Sequence, residues 1–330
     1  MFEYLIAIEP LGFLYGSAGA FLSPENLVGR SGAKFPPDTV TLSGLYYTPE
    51  SAVARADLAE LFLAGPFWGR TTEDLEDFYV PLPWTKVVAD EGTDEWQVVN
   101  GGWFRSEERA ELKPERKWQR INTWNLSAQR LREGQNTAKV PWQFVPMLHP
   151  HMRPNERHAL DEKGLFLENA VQMEPQSCLV YLASHRLRDG LYRFGGEGHI
   201  VEVTCHSLSN RLKKRFQEPI GQAFSLITPG VWGSNRFSHR APQHPDFPEL
   251  RLLLTEKPNP YRYRLQGRLS RGRYAVPAGS VYVLDRPLNR PWSAWPEDWF
   301  PREGRSYKRW GCGLALPLDI SGLPTLQGVG

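Results

Sequence analysis

The residues best equipped for chemistry in this sequence are histidines and arginines set among prolines and glycines. His149, His151 and His158 lie close together, and imidazole serves both as a metal ligand and, with its pKa near working pH, as a general base. No acidic residue stands at a familiar metal spacing from them, and His-x-His between prolines matches no zinc signature. No metal or other cofactor is therefore expected, while a histidine such as His151 or His158 acting as base in metal-independent RNA cleavage stays open. Arg153, Asn155, Arg157 and His158 share one polar turn, a composition suited to phosphate or base contact and equally to an ordinary surface turn. Gly195, Gly196 and Gly198 run into His199. Such a loop lets backbone N–H groups approach a ligand, or simply permits a tight turn. Arg30 and Lys34 flank a glycine-rich loop, and Lys308 and Arg309 precede another; solvated loop charges are the plain alternative. No Gly-x-Ser-x-Gly elbow, phosphate loop or dinucleotide fingerprint is present, so the usual enzyme classes find no support.

Composition bounds these possibilities without choosing among them. The chain has 330 residues, 41% apolar, 23% charged and 12% aromatic with 12 Trp, a soluble globular balance able to bury a core. Its formal net charge is only +2, far from the strongly basic balance that announces a nucleic-acid partner. The distribution is more telling. Between Lys257 and Leu284 there is no acid, yet Lys257, Arg262, Arg264, Arg268, Arg271 and Arg273 all fall there. A second acid-free stretch, Arg116 to Arg132, joins Lys117, Arg120 and Arg130 to Trp118 and Trp124. Each reads as a phosphate-facing strip or as a solvated face balanced by nearby acids; the two tryptophans read first as core or interface anchors. Cys178, Cys205 and Cys312 are far apart and read as small buried hydrophobes. No apolar run approaches membrane-spanning length and no leader pattern opens the chain, so a cytoplasmic location without membrane association is expected.

These residues need elements to position them. Tyr4 to Ile8 predicts a first strand, closed by Pro10 and Gly12. After a glycine-rich connection from Gly16 to Gly32, a helix is expected over Asp38 to Tyr47, capped by Asp38 or Thr39, and another over Pro49 to Ala64 with Val53, Leu58 and Leu61 on one face. Between Tyr79 and Lys139 the pattern is irregular, and the turn at Asn100-Gly101-Gly102 predicts a projecting hairpin. Strands are expected over Gly164 to Pro175, Cys178 to Ala183 and His199 to Cys205, then a helix over Leu208 to Phe216. Further strands are expected at Phe224 to Ile227, Leu250 to Leu254, Tyr261 to Leu265, Ser280 to Leu284 and Leu314 to Leu318. In Tyr261 to Leu265 the period of two places the arginines on one face. No internal repeat of fixed period is visible.

Read together, the glycine-bounded segments resemble the RAMP superfamily of CRISPR proteins, and within it the family of third subunits of the type III-B (Cmr) effector complex, guide-RNA 5′-tag-binding proteins of Cas-five-like kind. The resemblance begins with Ile8-Glu9-Pro10-Leu11, the glycine loop, Phe35-Pro36-Pro37, Thr39 and Leu42-Ser43-Gly44-Leu45. It continues from Met147 through Arg153 and His158 to Lys163-Gly164-Leu165-Phe166 and Gly195-Gly196-Glu197-Gly198. Leu226-Ile227-Thr228-Pro229, Tyr274 to Tyr282 and Trp310-Gly311-Cys312-Gly313 complete it. The order is the expected one, although 50 to 140 and 232 to 260 are unmatched, and Leu14-Tyr15-Gly16-Ser17 stands where family members often carry Arg-Asp.

This resemblance implies an α+β chain of two ferredoxin-like, RRM-related units with long insertions: residues 1–195 with an inserted segment at about 66–140, and 196–330. It implies a non-catalytic RNA-binding subunit that holds the 5′ repeat-derived tag of the CRISPR RNA and contacts a large palm-domain subunit and a backbone RAMP subunit. The RNA contacts it implies are Arg30, Lys34, Arg153, Asn155, Arg157, His158, Gly195, Gly196, Gly198, His199, Lys308 and Arg309. A processing endoribonuclease of the same superfamily and a carbohydrate-binding, aromatic-rich module are the competing readings.

Overall fold

The structure is a computed structural model that describes residues 1–15, 35–150, 165–195, 198–233, 239–265 and 268–323. It is α+β, as expected, and mostly β, with α-helices at Thr39–Tyr46, Ala128–Glu133 and Asn210–Arg215 among the described residues. The chain forms two compact units interleaved in sequence, one of 1–75, 140–208 and 260–273, the other of 76–139, 209–259 and 274–330. Two consecutive halves meeting at residue 195 differ from this. The strand His199–Ser207 runs beside Tyr4–Pro10 from the Tyr4↔Ser207 pair to Pro10↔Val201, which keeps the chain in the first unit through Leu208.

In the first unit the expected first strand, Tyr4–Pro10, is central. Ser177–Ala183 lies antiparallel on one side of it and His199–Ser207 on the other. Leu63–Arg70 extends the sheet beyond Ser177–Ala183, and Gly190–Phe194 extends it beyond His199–Ser207. Counting the four main strands along the chain, their order in the sheet is second, third, first, fourth. Ser177–Ala183 is buried along its whole length, which explains its near-continuous apolar run. The Thr39–Tyr46 helix buries Val40, Leu42 and Leu45, and the hydroxyl of Tyr46 donates to the His185 carbonyl at 2.8 Å.

The helix expected over Pro49 to Ala64 is instead two single 3-10 turns, Pro49–Ser51 and Asp57–Glu60, followed directly by the Leu63–Arg70 strand. Ser51 supplies the reason: its hydroxyl bonds the Tyr46 and Thr48 carbonyls at 3.0 and 2.9 Å, and Ala52 turns left-handed at φ 58°. Side-chain to backbone bonding of this kind competes with a helix.

The second unit has its own antiparallel sheet, Leu250–Leu254, Val281–Leu284, Ala223–Leu226 and Ala315–Pro317 in spatial order. Along the chain these too are second, third, first, fourth. The expected hairpin is present as Gln97–Val99 against Gly102–Phe104, with Asn100 at φ 51° and Gly101 at φ 77°. Positive φ at both loop positions is the type I′ turn that matches strand twist and that Asn-Gly favours. Cys178, Cys205 and Cys312 are all buried.

Candidate nucleic-acid interface

The expected strand over Gly164 to Pro175 is half of a long arm. Trp142–Pro150 and Leu165–Met173, each of 9 residues, pair from Trp142↔Met173 to Pro150↔Leu165, a ladder about 30 Å long. Arg153, Asn155, Arg157 and His158 belong to the connection 151–164, which lies outside the described residues, as do Arg30 and Lys34 within 16–34. The described residues bracketing both segments are nevertheless fixed, and fixed to the same element. Leu14–Tyr15 adds to the arm as a third strand through Tyr15↔Ala170 and Leu14↔Val171. On the far side of the glycine loop, the Phe35 ring packs edge-on against Trp142 with centroids 5.1 Å apart. One three-stranded ladder therefore roots both basic segments.

The glycine turn is near the start of this path. Phe194 pairs with His199, and the Gly198 N–H donates to the Gly195 carbonyl at 3.3 Å, closing a hairpin between Gly190–Phe194 and His199–Ser207. Gly195 and Gly198 have φ of 79° and 64°, a backbone region that side-chain-bearing residues rarely adopt; Gly196 lies outside the described residues. The chain leaving the first strand passes this hairpin, where Leu11 N–H donates to the Ile200 carbonyl at 3.3 Å. Only Gly12 and Phe13 separate it from the strand on the arm, a span of about 10 Å at most.

Lys308 and Arg309 belong to the second unit and are occupied within it. Lys308 is 5% exposed; its ammonium donates to the carbonyls of Ser293, at 2.8 Å, and Trp295 and lies 5.5 Å over the Trp292 ring. Burial pulls its pKa down to about 8. Arg309 Nε donates to Glu297 at 2.9 Å. The pair braces the turn before the last strand.

The 116–132 stretch meets acids in space, and neither acid-free stretch is wholly exposed. Arg116 bonds Asp90 at 2.8 Å, Lys117 lies 3.8 Å from Glu256, and Arg120 lies 3.4 Å from Asp77. Trp124 is core: it is fully buried, and its indole N–H donates to the Pro317 carbonyl at 2.7 Å. Trp118 is half-buried. In the other stretch Tyr261 and Tyr263 are buried and Arg262 bonds the Ser270 carbonyl at 2.8 Å. Burial alternates over Tyr261, Arg262 and Tyr263, although regular strand is interrupted at 262–263. Arg273 is buried.

The later motifs prove to be stitching within the second unit. Thr228 Oγ1 donates to the Gly311 carbonyl and accepts from Leu314 N–H at 2.8 Å. Gly279, at φ 87°, donates to the Leu226 carbonyl at 2.7 Å. Among the described residues no group of three or more His, Cys, Asp and Glu is placed to hold a metal ion, and no described helix is long and apolar enough to cross a membrane.

No family model matches the chain. No curated protein matches it. Among solved structures, it is similar to a chain in the cryo-EM structure of the Type III-B Cmr-beta bound to cognate target RNA, at 10% identity and TM-score 0.46, covering 84% of this chain and 86% of that one. It is also similar to a chain in the crystal structure of the Csm1-Csm4 cassette in complex with pppApA, at 12% identity and TM-score 0.38, covering 86% and 87%. The same cassette in complex with AMPPNP gives 12% identity, TM-score 0.37 and coverage of 87% and 97%.

Proposed function

We propose that the chain is a non-catalytic RNA-binding subunit of a type III-B CRISPR ribonucleoprotein, holding the 5′ repeat-derived tag of the guide and contacting a large palm-domain subunit and a backbone RAMP subunit. The observation that carries the reading is the shared root of two basic segments: 16–34, with Arg30 and Lys34, and 151–164, with Arg153, Arg157 and His158, both leave one ladder through Tyr15, Phe35, Pro150 and Leu165. Two segments rich in cations and glycine that begin and end at one element suit a single-stranded, phosphate-rich ligand. The order of the sequence motifs indicates which ligand of that class.

Two ferredoxin-like units belong to the same reading. The order second, third, first, fourth, all antiparallel, is that of a βαββαβ sheet, and both sheets have it. The departures are in the crossovers. The first unit has its first helix at Thr39–Tyr46, while 3-10 turns at Trp292–Ala294, Glu297–Trp299 and Tyr307–Trp310 stand in the last connection of the second.

The test is Arg153→Ala with Arg157→Ala. Binding of repeat-tag RNA should weaken and its salt slope should fall by roughly 0.7 per lost phosphate contact, with melting unchanged. A folded double variant with an unaltered slope removes the tag-binding assignment. Incubating the protein with unprocessed repeat RNA without metal completes the experiment: site-specific cutting abolished by His151→Ala or His158→Ala replaces the proposal with the endoribonuclease.

A further inference from the structure

The glycine hairpin borders a patch of open sheet whose chemistry differs from that of the arm. Cross-strand partners share a face, so the register sets two rows. Glu9, Glu202 and Leu191 form one row across three strands, and Ile200 and Arg193 lie opposite each other in the next, where Leu11 bonds Ile200. The other face of these strands buries Ile8, Val201, Val203, Tyr192 and Phe194. This face stays open: Leu11 is 58%, Leu191 62% and Ile200 43% exposed.

Three large aliphatics on one open sheet face mark a contact surface when charges rim them. Here the charges also say what fits. Glu9 and Glu202 stand directly opposite with side chains about 5 Å apart, an arrangement of like charges that destabilises a sheet. No ion pair relieves either among the described residues. Burial, and then the Glu202 charge, raise the Glu9 pKa. Two carboxylates repel a polyanion and attract a cation, and the neighbouring aliphatics exclude water from the contact.

We infer that this face docks a protein segment that presents a lysine or arginine between aliphatic side chains, the cation seated between Glu9 and Glu202 and the aliphatics on Leu11, Leu191 and Ile200. The surface is separate from the RNA-binding arm of the proposed function and does not depend on which RNA that arm holds.

The probe is a synthetic peptide of alternating Leu and Lys, with a Leu-Glu peptide as control, read by anisotropy and by amide exchange over 190–193 and 200–203 of the whole chain. The Leu-Lys peptide should bind and protect these amides, and the Leu-Glu peptide should not. Glu9→Gln with Glu202→Gln should weaken binding by about tenfold, the size of one interfacial charge pair, while raising the melting temperature because the repulsion is gone. A merely structural pair would give the opposite sign in stability. Leu191→Asp, on an exposed side chain, should abolish binding without unfolding. Equal binding of both peptides, or binding indifferent to all three substitutions, overturns the inference. So does protection of the same amides by single-stranded RNA. Self-association lost in Leu191→Asp makes a second copy of the chain the occupant and overturns it as well. Loss of RNA binding by the arm leaves these readouts untouched.

Discussion

Lys308 sits in a sequence context, Lys-Arg-Trp-Gly, that reads as a ligand-facing basic loop, yet its ammonium is enclosed by the Ser293 and Trp295 carbonyls and the Trp292 ring. Its pKa, lowered by burial to about 8 from 10.5, has a consequence with a definite sign. Between those two values the unfolded chain holds the proton and the folded chain has released it, so stability attributable to Lys308 rises with pH across that window. Lys86, buried with its ammonium on the Trp124 carbonyl at 2.7 Å and its pKa also near 8, acts in the same direction. Urea midpoints of the native chain minus those of Lys308→Met, followed from about 8 to 10.5, should climb; a flat difference refutes the burial. Gly279 gives a second residue-level expectation. A Cβ there would lie 2.8 Å from the Leu82 carbonyl oxygen and 3.1 Å from the Trp84 indole nitrogen, at φ 87°. Gly279→Ala should therefore cost roughly 1–3 kcal/mol in denaturation, with RNA binding by the folded fraction unchanged.

At the scale of elements the proposed function places tag binding on the arm, whose root is separable from its tip. Replacing 151–164 by Asn-Gly should keep the ladder from Trp142↔Met173 to Pro150↔Leu165, because a two-residue turn suits antiparallel strands. It should abolish tag binding without altering the melting of the sheets. Phe35→Ala removes the ring on Trp142 and frees one end of the 16–34 segment. Tag affinity should fall through the ordering the loop must then undergo on binding, by a factor larger at the Arg30 and Lys34 contacts than at Arg153. A double cycle of Phe35→Ala with Lys34→Ala measures this. Additive losses mean that the anchor does not position the loop.

On the scale of the whole molecule, each unit repeats one strand order, though the two stretches share no periodic pattern that betrays it. If the proposed function holds and other subunits complete the groove, the chain alone should bind single-stranded RNA weakly and tighten when the large palm-domain partner is added. Filter binding at two salt concentrations, with and without the partner, decides this. Full-strength binding by the lone chain, unchanged by the partner, counts against the assembly.

What could be read from the sequence was what neighbours within a few residues dictate. The Tyr4 to Ile8 run became the central strand, Asn100-Gly101 closed its hairpin with both φ values positive, and the run from Leu208 to Phe216 holds the helix Asn210–Arg215. Local signals failed where a side chain chose a different local partner, as Ser51 did in breaking the helix expected through Ala64. Everything that depends on distant partners was decided by tertiary structure. Asp77, Asp90 and Glu256 neutralise a stretch that contains no acid of its own, His199–Ser207 joins the first strand instead of opening a second half, and Tyr15 and Phe35 meet the arm that bears the arginine turn. Strand pairing and charge pairing are set by which segments lie about 5 Å apart in space, and separation along the chain carries no record of that distance.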